Sequence, residues 1–448
     1  MLNKFKLSPT DRQYLTLSLP AALEGVCMIL LSNVDLIMVG MLGASAIAAV
    51  SIFTQPRMML LTVARSLASV VTLMTAEHYG AGRKQQAATI LRQSLVLGAA
   101  VMLVLHLAFF AYLPELLLWM GAETGYLQLA LDYGWIALAA VYMTSLTAIL
   151  QALQLGFGET AVVLRTNIQG NILNVIVNAL LIFGLGPFPE LGVRGAAIGT
   201  LVGTIYTFGH ALWQLWQRGI MDKTGFWPDR AYFREFLPLF GSVFSEQGFE
   251  RIGMVIYTRM VAELGMLPYA IHAICMNFCD FYYCFAGGLG KGSTVMACHA
   301  KGAKDMAAWR QSLRVSVKWS AMFSLVSFVL TALFREEIFG LYASDASLLP
   351  LGGLIMLIVA LVSFPEAQQM VCAGILRGSG RSAQVAIYSF LSITVLRPLI
   401  TAFFLYYLDM GLVGAWIALA LDQSLRAACA SLLLWRLVKT EQWAPEQV

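Results

Sequence analysis

The sequence predicts an all-α membrane protein of twelve transmembrane helices arranged as two pseudo-symmetric six-helix bundles. Composition, the spacing of apolar runs and an internal repeat carry that prediction. Of 448 residues, 59% are hydrophobic and only 12% charged, and the mean hydropathy is +0.74. A soluble domain covers itself with about a quarter charged residues. Hydrocarbon around the helices removes the need for that coat. At roughly 20 residues per span, the apolar runs make twelve helices joined by short loops.

The first run follows Lys4, Lys6 and Arg12 and so begins like a secretory leader. It continues through Asp35 to Gly40, longer than a leader's apolar core, and is read as a retained helix 1, 13–40. Helices 2 to 6 follow at 46–76, 87–113, 125–154, 160–184 and 193–217. The longest polar connection, Gln217 to Arg234, then divides the chain nearly in half. Helices 7 to 12 are placed at 235–263, 268–298, 306–334, 346–376, 382–408 and 413–437. The expected lobes are therefore residues 1–217 and 235–448, with 218–234 as a cytoplasmic linker.

The halves repeat each other. Leu42-Gly43 after helix 1 returns as Leu264-Gly265, Gly80 after helix 2 as Gly302, and Gly156-Phe157-Gly158 after helix 4 as Gly378-Ser379-Gly380, each at an offset of 222. Before helices 6 and 12, Gly192-Val193-Arg194-Gly195-Ala196 is echoed by Gly411-Leu412-Val413-Gly414-Ala415 at an offset of 219. Six helices per half make the repeat parallel, about an axis along the membrane normal, the arrangement in which one bundle rocks against the other. That architecture implies transport.

Positive charge gives the orientation. On one side lie eighteen Lys and Arg, from Lys4 and Lys6 through Arg218 and Arg230 to Arg436 and Lys439, against Arg194 and Arg335 on the other. Both termini are therefore expected in the cytoplasm of a bacterial cell, with the chain in the inner membrane. The same basic residues are topology signals and exclude a nucleic-acid reading. The seven cysteines lie scattered in apolar segments with no paired metal spacing. The five histidines are isolated, so no metal site or metalloenzyme constellation is expected.

Ionisable residues inside apolar helices mark function. Asp35 on helix 1 is the foremost, because the cost of its charge in hydrocarbon is what lets such a group carry a proton. Asn174 and Asn178 stand one turn apart on helix 5 and share a face, so both amides can bond one carboxylate. Glu250 on helix 7 and Glu366 on helix 10 form a second acidic pair, for which Arg251, Arg259 or Arg397 are candidate partners. Asp280 sits among Phe281, Tyr282 and Tyr283 on helix 8, a setting that suits a lipophilic cation. Glu246 and Asp422 carry less weight, and Asp422 can pair with Arg426 at i,i+4. Pro20 and Gly25 interrupt helix 1 before Asp35 and give it a hinge.

The run Asn33-Val34-Asp35-Leu36-Ile37-Met38-Val39-Gly40, followed by Leu42-Gly43 and Ile47-Ala48-Ala49-Val50, resembles the helix 1–2 signature of the multidrug and toxic compound extrusion (MATE) family. Asn174, Asn178-Ala179-Leu180-Leu181-Ile182-Phe183-Gly184 and Gly195-Ala196-Ala197-Ile198-Gly199-Thr200 resemble its helix 5–6 signature. The resemblance spans nearly the whole chain. It puts the family's coupling acid at Asp35 and its polar pair at Asn174 and Asn178, an amide where some members carry a second acid. Glu250 fits the helix-7 glutamate of the bacterial NorM-like branch, and Glu366 stands where that branch has an aspartate. The implied activity is a monomeric antiporter without a cofactor, not an enzyme. It would export small lipophilic, often cationic compounds, with H+ as coupling ion and Na+ left open. Asp280, Tyr282 and Tyr283 would line its substrate pocket, and its remaining contacts would be membrane lipids. A lipid-linked precursor flippase is the other transporter reading; it would want a basic cleft, and the acids here argue against one.

Overall fold

A computed structural model describes residues 7–221, 224–340 and 348–440; Lys4, Lys6 and Lys223 of the charge pattern lie outside them. The described residues contain helix and no strand. The first six long helices are α1 Pro9–Gly40, α2 Ala44–Gly80, α3 Lys84–Ala111, α4 Thr124–Gly156, α5 Thr160–Phe183 and α6 Val193–Gln217. The second six are α7 Arg230–Ala262, α8 Met266–Gly302, α9 Met306–Leu333, α10 Leu349–Gly378, α11 Ser382–Tyr407 and α12 Gly411–Thr440. All twelve expected helices are present, with ends shifted by a few residues.

The repeat is structural as well as sequential. The bounds of α2 and α3 recur in α8 and α9 at the same 222-residue offset, and short helices Leu113–Trp119 and Arg335–Gly340 follow α3 and α9 in register. The repeated glycines do the same backbone work. Gly43 and Gly265 enter α2 and α8 at φ 108° and 101°, a left-handed conformation that a side chain would strain. Two copies of one six-helix design make up the chain.

Nine of the twelve helices are long and apolar enough to cross a membrane by length and composition. The other three are α6, α7 and α8. Glycines and the polar His210 and Gln214 lower the hydropathy of α6. Glu246, Glu250, Arg251 and Arg259 do so for α7, and Asp280 and Lys291 for α8. Of these charged residues only Glu246 is buried, while Arg251, Arg259, Asp280 and Lys291 stand exposed. Apolar side chains such as Val104, Val255, Leu333 and Leu399 stand exposed on the helix surfaces, as hydrocarbon contact requires.

Packing groups the helices into two compact units. One comprises residues 26–240. Its core joins Val71 of α2, Leu91 of α3, Leu150 and Leu153 of α4 and Leu215 of α6. The connection after α6 is docked on this unit: buried Arg92 donates to the Ile220 carbonyl (2.8 Å) and Gln93 to that of Trp227 (3.1 Å). In the other unit, α1 up to Gly25 packs with the chain from Gly241 onward. Tyr14 of α1 donates to the Leu289 carbonyl of α8 at 3.2 Å. Gly288 and Gly292 of α8 abut Ala22 and Ser18, where any side chain would force the helices apart. Trp309 of α9 and Ile375 of α10 complete that core.

Candidate functional site

In the unit of residues 26–240, the site begins with how α5 and α6 approach. Gly195, Gly199 and Gly203 recur every four residues on α6, and each faces α5 so closely that a methyl group would collide. Gly195 lies against Leu181, Gly199 against Asn178, and Gly203 against Gly170 and Asn174. This seam fixes the two asparagines, which are buried at 6% and 1% exposure. Both amides turn to α1. Asn178 Nδ2 donates to Asp35 Oδ1 at 2.9 Å. Asn174, with its nitrogen facing the carboxylate, reaches both Asp35 oxygens at 3.0 and 3.1 Å, while its oxygen accepts from the Thr200 backbone N–H at 2.9 Å.

Two further groups complete this site, and the sequence reading passed over both. Thr200 orients Asn174 from α6. Arg57 of α2, half-buried with an unpartnered Nε, places its positive charge in the field of Asp35. The signal for Arg57 was available: it is a charge inside the long apolar helix 2. The carbonyl oxygen of Asn178 is buried without a partner.

The acids of the other unit gather separately. Glu250 of α7 accepts from the Tyr283 hydroxyl of α8 at 3.2 Å. Glu366 of α10 is buried at 6% exposure and feels the charges of Glu250, Asp280, Arg397 and Arg426. Asp280 is exposed and lies in the field of the Arg251 charge. Tyr282 turns the other way. Its hydroxyl donates to the Ser363 carbonyl at 2.8 Å and meets Ser324 at 3.0 Å, so it ties α8 to α9 and α10.

The expected pairing of Asp422 with Arg426 is replaced. Asp422, fully buried, accepts from Arg397 Nε at 3.0 Å and also bonds the other arm of that guanidinium and Ser392. The reason lies in α11, where Phe390–Leu396 and Phe403–Tyr407 are wound with wide, π-type turns on either side of Arg397-Pro398. Such turns rotate the following residues away from regular helical spacing, and Arg397 is delivered to α12. Glu246 is likewise structural, held by Arg377 at 2.5 and 3.1 Å.

Helix α1 continues through Pro20, and Gly25 sits where a methyl group would come within 3.0 Å of Cys284 Cβ. Gly25 is also the last residue of α1 in its compact unit. Among the described residues, no cluster of His, Cys, Asp and Glu suits a metal ion.

The MatE family model matches residues 20–180 and again residues 243–403, one match per repeat. A probable multidrug resistance protein NorM of Rhizobium meliloti is 26% identical over 95% of this chain and 92% of its own. Its namesake in Thermotoga maritima is 24% identical over 94% and 91%. Among solved structures, a mutant of the Vibrio cholerae MATE transporter VcmN superposes with a TM-score of 0.89 at 18% identity, covering 97% of this chain and 98% of its own. A MOP superfamily transporter from Pyrococcus furiosus gives 0.89 at 20% identity, covering 96% of each. The structural likeness establishes the fold.

Proposed function

Because the chain belongs to the MatE family, a family of transporters rather than enzymes, we propose that it is a proton-driven exporter of lipophilic, often cationic compounds with Asp35 as its coupling group. The observation that supports this most is the set of donors on Asp35. Two amides present N–H groups to a carboxylate that can only accept. Protonation turns one oxygen into a donor and removes the charge, so these charge-assisted bonds weaken and rearrange. Helix α1 carries the change: Pro20 already lacks one backbone bond, and Gly25 gives it a second soft point. Exposed Asp280 and Tyr283, with Glu250, supply charge and an aromatic face for an organic cation. The chain is read as a monomer in a bacterial inner membrane with both termini cytoplasmic, and the one-sided Lys and Arg support that orientation.

One observation favours a sodium ion instead. The unpartnered oxygen of Asn178 beside Asp35 offers a second ligand to a bare cation. Everted vesicles loaded by this protein separate the readings. An imposed proton gradient alone is expected to drive transport of a fluorescent lipophilic cation, and a sodium gradient alone is expected to leave it at background. The reverse pattern overturns proton coupling.

The α5–α6 seam gives a second test. In Gly199→Val the added side chain occupies the space of the Asn178 amide. Transport is expected to fall to background while expression and insertion persist. Normal transport by that variant would detach Asn178 from the mechanism.

A further inference from the structure

The connection between α6 and α7 is gripped on its inner side and bare on its outer one. Three consecutive buried residues of α3 hold it: Arg92 and Gln93 take the Ile220 and Trp227 carbonyls, and the Ser94 hydroxyl meets that of Tyr232 at 2.9 Å. Asp229 caps α7 by accepting from the Tyr232 backbone N–H at 2.8 Å. Tyr232, Phe236 and Phe240 then stack along the inner face of α7, with successive ring centroids 5.1 and 5.5 Å apart. These contacts fix the rotation of the first turns of α7, and with it the face they turn outward.

That face steps from charge to hydrocarbon. Arg230 and Arg234 stand one turn apart and exposed, and Leu237, 56% exposed, follows on the same side. The two arginines, with Ala231 and Glu235, line a recess of about 590 Å³ that opens at the surface. The Glu235 carboxylate stands 3.8 Å from His78 Nε2 of α2. Two guanidiniums against one carboxylate leave the recess positive. Beside it Trp227 gives its carbonyl to α3, while its indole is 81% exposed. Indoles at the end of a span favour the boundary between headgroups and acyl chains.

We propose that this recess binds the headgroup phosphate of an anionic phospholipid, in the leaflet at which α6 ends and α7 begins. Paired guanidiniums present several N–H donors to phosphate oxygens. The acyl chains then run along α7 over Leu237, and the Trp227 indole sits at the level of the glycerol. Free inorganic phosphate shares the headgroup's charge but gains nothing from Leu237 or Trp227, so a lipid is the occupant that uses the whole face. Basic residues immediately beyond a span attract anionic lipid in this way. The site serves whichever ion drives transport and whatever cargo is carried.

The full-length chain, purified in detergent and titrated with phosphatidylglycerol or phosphatidylcholine, tests this by native mass spectrometry of the bound lipid. Wild type is expected to retain phosphatidylglycerol under conditions that strip phosphatidylcholine. Arg230→Gln combined with Arg234→Gln should weaken phosphatidylglycerol binding roughly twentyfold, about fivefold for each guanidinium. Trp227→Ala should weaken it less. Arg310→Gln combined with Arg314→Gln removes the same charge from α9 and should leave affinity at the wild-type value. Excess inorganic phosphate should not displace the lipid. Equal retention of both lipids by wild type overturns the proposal, as does wild-type affinity in the Arg230 and Arg234 double variant. An equal loss from the α9 variant would reduce the effect to diffuse charge, and displacement by inorganic phosphate would make the recess a site for soluble anions; either result refutes the lipid site. If the Arg230 and Arg234 double variant does not fold, the comparison of lipids on wild type and the phosphate competition decide.

Discussion

Asp35→Asn is expected to reduce gradient-driven efflux to the level of vesicles without the protein, while the chain still inserts at normal yield. The substitution is nearly isosteric, so helix packing survives. It removes the only group in the α1–α5 contact that can alternate between acceptor and donor. The amides of Asn174 and Asn178, within 2.9 to 3.1 Å of the native carboxylate, can turn to suit an amide partner, and the contact becomes permanent. A pair of spin labels reporting the position of α1 supplies the decisive measurement. Wild type should move across a pH titration, and Asp35→Asn should hold one position throughout. Equal movement in both would place the proton elsewhere, with Glu250 and Glu366 next in line.

The second large effect concerns folding rather than transport. Asp422→Ala leaves the Arg397 guanidinium buried at 2% exposure with its main counter-charge gone. Removing one partner of such a pair costs about 3–5 kcal/mol, a large share of the stability of a typical domain. Purified yield and melting temperature in detergent should fall sharply. Arg397→Met combined with Asp422→Leu should recover most of the loss, since two apolar side chains leave no orphaned charge. A melting temperature within a degree or two of wild type for Asp422→Ala would show that the pair is dispensable.

The reach of the sequence differed between these two sites for a physical reason. Asp35, Asn174 and Asn178 were legible because an acid and two amides in apolar helices are costly anywhere except against each other, and regular helical spacing puts the amides on one face. The same spacing rule gave Asp422 the wrong partner. It assumes 3.6 residues per turn, and α11 departs from that around Arg397-Pro398. A wide turn is a tertiary solution with no composition of its own. Arg57 shows a third case: it was visible as a charge in an apolar run and was passed over because it lay outside the acids. The glycine seam on α6 was quoted as a signature, yet its purpose, clearing space for Asn178, needed a facing helix to be seen.

The mixed ancestry of the second compact unit sets a problem of timing. Tyr14 and Ser18 find their places only against Leu289 and Gly292, which leave the ribosome some 270 residues later. At about 5–20 residues per second that is a wait of roughly 15 to 50 seconds. During the wait, the first turns of α1 must cross the bilayer with a face made for a helix not yet synthesised. The insertion machinery or passing lipids have to shelter that face. The chain's earliest span is thus among the last to settle, and its biogenesis is paced by α8.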